Sequence, residues 1–335
     1  MKEKMFNKKK YLICGATGFI GRNLIERFGM CENVKIVAVY HKKPPFDTSH
    51  LPAEVEWRQA DLRDANQVDS VLSGVDYVLQ AAATTSGSKD IVNRPYIHVT
   101  DNAIMNSVLL RAAFHSGVAH FVFFSCTVMY QSSENKVSEQ DWDPAQRLIS
   151  KYFGVGNTKI YVEQMLDFFS SISNMKTTAI RHSNIYGPHD KYDFDRSHVF
   201  GATVSKVMTA KDWIKVWGSG EEERDLLHVD DLSRFVEHVI QNQSKSFRVY
   251  NCGLGEKISV RDLVELVIKK SGKALTIKYD LSQPTIKTSV CLDTSLAEKE
   301  LGWSPHVDIS SGVERTIKWW QENVDPKTLL PREGS

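Results

Sequence analysis

The sequence predicts an α/β fold: a doubly wound parallel sheet followed by a smaller α/β unit. Three observations carry this expectation. Short apolar runs alternate with helix-period segments through the first half of the chain. The run Val34-Lys35-Ile36-Val37-Ala38-Val39-Tyr40 is apolar almost throughout, as a strand buried on both faces must be. A turn carrying Gly15, Gly18 and Gly21 directly follows the first run and opens a helix. Parallel strands need right-handed crossovers, so helices must cover both faces of the sheet.

In chain order, strands are expected over 11–14, 34–40, 55–59, 77–82, 121–125 and 177–180. Helices fall between them, to about residue 28 and over 64–72, 99–115 and 159–172. After Arg181 the rhythm loosens into turn-rich sequence, then resumes with helices over 198–210, 230–241, 259–270 and 309–322 and strands over 214–217, 249–252 and 275–279. The expected organisation is a first domain over 1–180, to which part of 213–250 returns. A smaller, interleaved domain over 181–325 closes over the carboxyl edge of the sheet, and 326–335 forms a frayed tail.

Composition bounds the function. With 335 residues the chain allows two domains, at about 150 residues each. Lys plus Arg number 42 against 41 Asp plus Glu, a net charge of +1 that argues against nucleic acid as the main partner. A hydrophobic fraction of 41% excludes a disordered chain. Apolar runs such as 119–126, interrupted by His120, fall short of the ~20 residues of a membrane span. The apolar stretch after the basic N-terminus is too short for a secretory signal. Five scattered cysteines lack metal-ligand spacing, which suits reduced thiols in the cytoplasm and no metal site.

The glycine turn carries the first chemistry. Gly15 permits the tight turn, Gly18 lets backbone amides approach a pyrophosphate, and Gly21 lets the helix pack close to the sheet. Thr17, Phe19 and Ile20 complete this loop, with the diphosphate expected at the helix N-terminus. An acidic residue at the end of the second strand usually holds the ribose 2′-hydroxyl of NAD. Here that strand ends in His41, Lys42 and Lys43, and Arg22 follows the third glycine. Such cations favour a 2′-phosphate, hence NADP, with NAD still possible.

The segments GATGFIG (15–21), NIYGPHD (184–190), SHV (197–199), VWGSG (216–220), RDLLHVDD (224–231) and ELGW (300–303) carry a resemblance. Together they resemble the extended short-chain dehydrogenase/reductase family of nucleotide-sugar epimerases, dehydratases and reductases, and within it the GDP-fucose synthase branch. The resemblance spans nearly the whole chain. It implies a Rossmann-like sheet, Asp61 and Leu62 flanking the adenine, and Ala81 and Ala82 lining the floor beneath the dinucleotide. It also implies that Lys159 fixes the nicotinamide ribose and lowers the pKa of a tyrosine one helical turn earlier.

That tyrosine position is Val155, which cannot transfer a proton. Tyr152 lies seven residues before Lys159, about 10 Å of rise on an ideal helix. Gly154 and Gly156 would let that helix start late and turn Tyr152 back towards the site. The family's Ser or Thr, four residues before a loop tyrosine, corresponds to Cys126, with Ser125 and Thr127 on either side. Thr127 and Val128 stand where dehydratases carry an acidic pair, so elimination of water is not expected.

His198 matches the acid of the fucose-synthase branch, while that branch's partner cysteine is Val128. Its substrate contacts map to Asn184, His198, Lys206, Trp217, Arg224 and Lys287. The expected function is an NAD(P)-dependent reductase or epimerase acting on a nucleotide-activated sugar, a GDP-sugar, with the chain a homodimer paired through 99–115 and 159–172. Catalysis is expected of Lys159, His198, Cys126, Thr127 and Tyr152. An epimerase without net redox change and a non-catalytic dinucleotide-binding scaffold or sensor are the alternatives.

Overall fold

The computed structural model describes residues 8–84, 96–194, 197–282 and 289–329. A seven-stranded, all-parallel sheet forms its centre. Its strands are β1 (Lys9–Cys14), β2 (Val34–Tyr40), β3 (Glu54–Gln59), β4 (Tyr77–Gln80), β5 (His120–Phe124), β6 (Lys176–His182) and β7 (Phe247–Cys252). Their order across the sheet is 3-2-1-4-5-6-7. The winding reverses between β1 and β4, where a crevice opens outside the carboxyl ends of the strands.

Adjacent residues of each strand serve opposite cores. Ile13, Ile36, Leu79, Val122 and Ile180 pack against α1 (Phe19–Gly29) and a later helix, Val229–Asn242. Leu12, Val37, Val78 and Phe121 face α2 (Ala65–Leu72), α3 (Tyr96–His115) and α4 (Phe153–Ser171). Each fully buried side chain of this kind contributes roughly 1.5–3 kcal/mol, which is why the strands tolerate few polar residues.

The second unit has its own core of Tyr186, Phe200, Val204, Leu226, Val267, Ile317 and Trp320. It is built from α5 (Val199–Thr209), α7 (Val260–Ser271) and α9 (Ile309–Asn323), with α6 (Val229–Asn242) and α8 (Ser295–Leu301) on the side of the main sheet. A three-stranded sheet of Asn184–Tyr186, Glu223–His228 and Lys257–Ser259 and a two-stranded sheet of Trp213–Trp217 and Thr276–Asp280 complete it.

Two expectations need correction, and one strand was not expected. The helix expected over 159–172 begins at Phe153, so it starts early rather than late. Gly154 and Gly156 lie inside it and serve close packing: an added Cβ would stand 2.8 Å from Val99 Cγ2 at the first and 2.6 Å from Leu148 Cδ1 at the second. The strand Glu223–His228 had no sequence signal, because charged residues interrupt its apolar pattern. Asp225 is nevertheless buried there, accepting backbone amides from Leu254 (2.8 Å), Gly255 (3.2 Å) and Leu292 (3.1 Å). The tail is not wholly frayed, since Asp325 caps a 3-10 turn at Pro326–Thr328 and Leu329 packs on the second core. Residues 330–335 lie outside the described residues.

Candidate active site

The glycine loop lies at the reversal point of the sheet. Gly15 has φ +69°, and a Cβ on it would stand 2.8 Å from Ala82 Cα at the end of β4. Ala82 thus lies against the loop through its backbone, with Ala81 beside it. A Cβ on Gly21 would fall 2.2 Å from Gly15 O, so only glycine lets α1 fold this close to the turn. Gly18 is the N-cap of α1 and supplies no side-chain cap. The first-turn amides at Phe19, Ile20 and Gly21 therefore face the crevice at the positive end of the helix. That arrangement fits a dinucleotide diphosphate.

A cavity of about 340 Å³ lies beside the loop. Thr17, Gly18, Arg22 and Lys43 line one side, with His189, Asp190, Tyr192 and Trp319 opposite. Arg22 is steadied by Glu26 (3.1 Å) and stacks over Phe46 at 4.3 Å. Partial burial and the charges of Arg22 and Lys191 hold the Lys43 ammonium below its usual pKa. Lys42 does not line this cavity, and His41 Nε2 turns to Asp61 at 3.8 Å. The basic turn therefore divides, and Lys43 rather than Lys42 faces the cavity with Arg22. Asp61 clasps Arg63 through Nε at 2.9 Å and NH2 at 2.7 Å, which lowers its pKa to about 2, while Leu62 packs into the core.

Asp190 closes the cavity floor. Its Oδ1 accepts the Lys191 amide at 2.7 Å, and Oδ2 is buried without a hydrogen-bond partner among the described residues. Burial raises this carboxyl from 3.8 to about 7, against the opposing amide and charge of Lys191. A raised acid favours the protonated native state. Its stabilising contribution is complete below about pH 4 and is lost as pH rises to about 7. Asp190→Asn is expected to flatten the stability profile over that window. Thermal midpoints across pH would show it, and an unchanged slope would contradict it.

The second cluster forms at the carboxyl ends of β5 and β6. Lys159 Nζ donates to Phe124 O at 2.6 Å and lies 4.5 Å from the Phe123 ring. Val155, one turn earlier on α4, lines the same small recess as Lys159, Ala82, Ala83 and Asn102. Burial lowers the Lys159 pKa, opposed by Cys126 and Glu163. Burial raises the Cys126 thiol, opposed first by Lys159, so it stays protonated.

Tyr152 caps α4 at its N-terminus after a 3-10 turn, Ser150–Tyr152. Burial raises its phenol, and the charges acting on it are those of Arg224 and Cys126. A raised phenol suits hydrogen-bond donation better than proton abstraction. Ser125 is unavailable to a substrate, because its hydroxyl donates to Glu163 at 2.5 Å. Thr127 is half-buried beside Cys126, its carbonyl taking the Tyr130 amide at 3.0 Å.

From the second unit, Lys206 Nζ donates to Lys215 O at 3.1 Å and lies 5.8 Å from the exposed Trp217 ring. Arg224 donates to Glu223 O at 2.7 Å, and Asn184 Nδ2 to Asp225 O at 3.3 Å. His198 is the N-cap of α5, its side chain making no capping hydrogen bond, and its pKa is lowered by burial and Lys191. Lys287 lies outside the described residues.

Sequence reasoning missed three groups here. Arg181 and Glu163 form an ion pair at 2.7 Å with side chains 3% and 5% exposed, and Arg181 also donates to Tyr130 Oη at 2.9 Å. His182, the next residue on β6, lies within charge range of both Lys159 and His198. The available signal was the polar sequence Arg181-His182-Ser183 at the end of an apolar strand.

Among the described residues, no group of three or more His, Cys, Asp or Glu could hold a metal, and no helix is long and apolar enough to cross a membrane.

A doubly wound parallel sheet with an uncapped glycine loop at its reversal point defines a dinucleotide-binding α/β protein. Residues 11–253 match the NAD dependent epimerase/dehydratase family, and the chain belongs to it. It is 25% identical over 319 residues to GDP-L-colitose synthase of Yersinia pseudotuberculosis, covering 93% of this chain and 97% of that one. It is 25% identical over 328 residues to GDP-L-fucose synthase 1 of Arabidopsis thaliana, covering 94% of each. Among solved structures, the UDP-glucose 4-epimerase of Bifidobacterium longum in complex with NAD+ and UDP superposes with a TM-score of 0.79 at 21% identity, covering 94% of this chain and 99% of that one. The family's description is NAD dependent, and the names of these relatives are those of enzymes of GDP- and UDP-sugars.

Proposed function

We propose that this protein is an NADP-dependent oxidoreductase or epimerase acting at a sugar carbon of a GDP-sugar. The observation that carries the reading is Lys159 on Phe124 O at one sheet edge beside the half-buried Cys126, with Tyr152 and Arg224 within electrostatic reach of each other. When bound, the nicotinamide supplies or accepts the hydride. The α1 amides hold the dinucleotide diphosphate, and Lys159 holds the nicotinamide ribose. Arg224 and Lys206 pair with the sugar-nucleotide phosphates, Trp217 covers the base, and Asn184 donates to the same ligand. Tyr152, Cys126, Thr127 and His198 surround the sugar. Similarity to GDP-L-colitose and GDP-L-fucose synthases over nearly the whole chain supports guanine as the base.

Val155 beside Lys159 favours one alternative: a protein that binds the dinucleotide and does not turn over. Oxidation of NADPH with a GDP-4-keto-6-deoxyhexose supports the reductase. Inverted sugar stereochemistry without net cofactor change supports the epimerase, and tight dinucleotide binding with neither supports the sensor. Five unpaired thiols suit a reducing, cytoplasmic setting.

Arg22 and Lys43 are assigned to the 2′-phosphate. A hydrogen bond to a charged group is worth about 1.5–3 kcal/mol, so the double variant Arg22→Ala/Lys43→Ala should weaken NADP binding by about tenfold or more. NAD affinity should barely change. Equal NAD and NADP affinities in the unaltered protein, at one ionic strength, would contradict this.

Pairing of two copies is assigned to α3 and α4, which leave Ile104, Phe153, Tyr161, Phe168 and Ile172 exposed. Four helices would then bury these side chains across a two-fold axis. Light scattering should give a dimer mass for the unaltered chain and a monomer mass for Phe168→Asp. A monomer at micromolar concentration before substitution would contradict the pairing.

A further inference from the structure

Interconverting an alcohol and a carbonyl requires a proton to leave or reach the sugar oxygen. Val155 offers none, Ser125 is committed to Glu163, and the raised phenol of Tyr152 is a poor acceptor. We propose that His182, at the carboxyl end of β6, exchanges this proton through Nε2. The proposal rests on the reading of the protein as a nucleotide-sugar oxidoreductase or epimerase.

The backbone fixes where His182 stands. β5 and β6 run in register with Phe124 opposite Ile180, and Ser125 N donates to Ile180 O at 2.8 Å. Continuing that register by two residues places His182 alongside Cys126, at the strand end where Phe124 O receives Lys159. On its other side β6 pairs with β7, with His182 opposite Cys252 and Ser183 N donating to Cys252 O at 2.9 Å. The residue is therefore held by β7 on one side and lies just beyond the end of β5 on the other, at the carboxyl edge of the sheet.

The ring's tautomer follows from its one hydrogen bond. His182 Nδ1 lies 2.8 Å from Ser183 O, and a carbonyl only accepts, so Nδ1 carries the hydrogen. Burial first, with the neighbouring Lys159 and His198 and against the Ser183 hydrogen bond, lowers the ring's pKa to about 4, so it is neutral at physiological pH. A neutral ring protonated at Nδ1 presents a lone pair at Nε2. No hydrogen bond to Nε2 forms among the described residues. An anionic diphosphate held by Lys206 and Arg224 would offset the Lys159 charge and make Nε2 more basic when substrate is bound.

In the oxidative direction the sugar O–H bond breaks and its proton passes to Nε2. The C–H bond on the same carbon breaks, its hydrogen leaving with the electron pair as hydride to the oxidised nicotinamide, and C=O forms. The reductive direction runs in reverse, the imidazolium returning its proton to the oxygen as reduced nicotinamide supplies the electron pair.

Two measurements test this. In the ligand-free protein, ¹⁵N NMR of labelled histidines should show His182 as the neutral Nδ1–H tautomer near pH 7; an Nε2–H tautomer there would overturn the proposal. Kinetically, His182→Asn can still donate to Ser183 O but cannot exchange a proton. NADPH oxidation with a GDP-4-keto-6-deoxyhexose should fall about 10²–10⁴-fold while NADP affinity is retained, and adding Val155→Tyr should recover part of the loss beside Lys159. An unchanged rate in His182→Asn would overturn the proposal alone. Absence of both dinucleotide binding and turnover in the unaltered protein would overturn the functional reading, and this proposal with it.

Discussion

Replacing Glu163 with alanine is expected to cost about 3–5 kcal/mol of folding stability, the usual result of breaking a buried ion pair from one side. Glu163 receives Arg181 through Nε and NH2, at 3.2 and 2.7 Å, and the Ser125 hydroxyl at 2.5 Å. Removing it strands a guanidinium that is 3% exposed and leaves a buried hydroxyl without an acceptor. Arg181 also supports Tyr130, whose hydroxyl donates to Asn251 Oδ1 at 2.8 Å, so the damage extends from β5 to β7. Urea unfolding measures the loss directly. A cost below about 1 kcal/mol, typical of an exposed pair, would show that the cluster is hydrated.

Gly21→Val is expected to abolish dinucleotide binding. The new Cβ would meet Gly15 O at 2.2 Å, Gly15 C at 2.8 Å and Ala16 Cα at 2.9 Å, all of them backbone atoms with no rotamer to yield. Helix α1 would have to lift off the turn, carrying its amides away from the diphosphate position. Leu24, Ile25 and Phe28 anchor the same helix in the core, so overpacking of about 1–3 kcal/mol should accompany the lost affinity. Gly18 differs, because a Cβ there would stand 3.1 Å from Gly15 O, a contact that a small shift relieves. Bulk at Gly18 acts against the ligand more than against the fold. Calorimetric titration with NADP separates the two variants, and wild-type affinity in Gly21→Val would contradict the loop's role.

The sheet through β6 was legible because each strand declares itself locally, by a continuous apolar run bounded by turns. The glycine loop was legible for the same reason: its spacing is its mechanism. Glu223–His228 escaped because its charged Asp225 is satisfied by amides at positions 254, 255 and 292, which no local window contains. The early start of α4 escaped because glycine usually weakens a helix, whereas Gly154 and Gly156 are there to admit Val99 and Leu148.

In the site, Lys159 and Cys126 lie at the carboxyl end of β5, while Asn184, Lys206, Trp217 and Arg224 belong to the second unit. The division of the basic turn, Lys43 lining the cavity and Lys42 not, depends on how the chain leaves β2 and could not be counted from spacing. Glu163, Arg181 and His182 stayed hidden because charged residues are ordinarily surface residues, and here three-dimensional pairing or a backbone carbonyl compensates their burial.

The central claim is that this sheet edge moves a hydride between a nicotinamide and a sugar carbon although Val155 stands where the family's tyrosine would be. Its most direct test is isotopic: NADPH carrying deuterium at C4 is incubated with the protein and a GDP-4-keto-6-deoxyhexose, and the sugar nucleotide is weighed by mass spectrometry. A product carrying deuterium at the former carbonyl carbon, formed one for one with oxidised cofactor, is the expected result. Tight binding of NADPH with no deuterium in the sugar and no oxidised cofactor would contradict the claim.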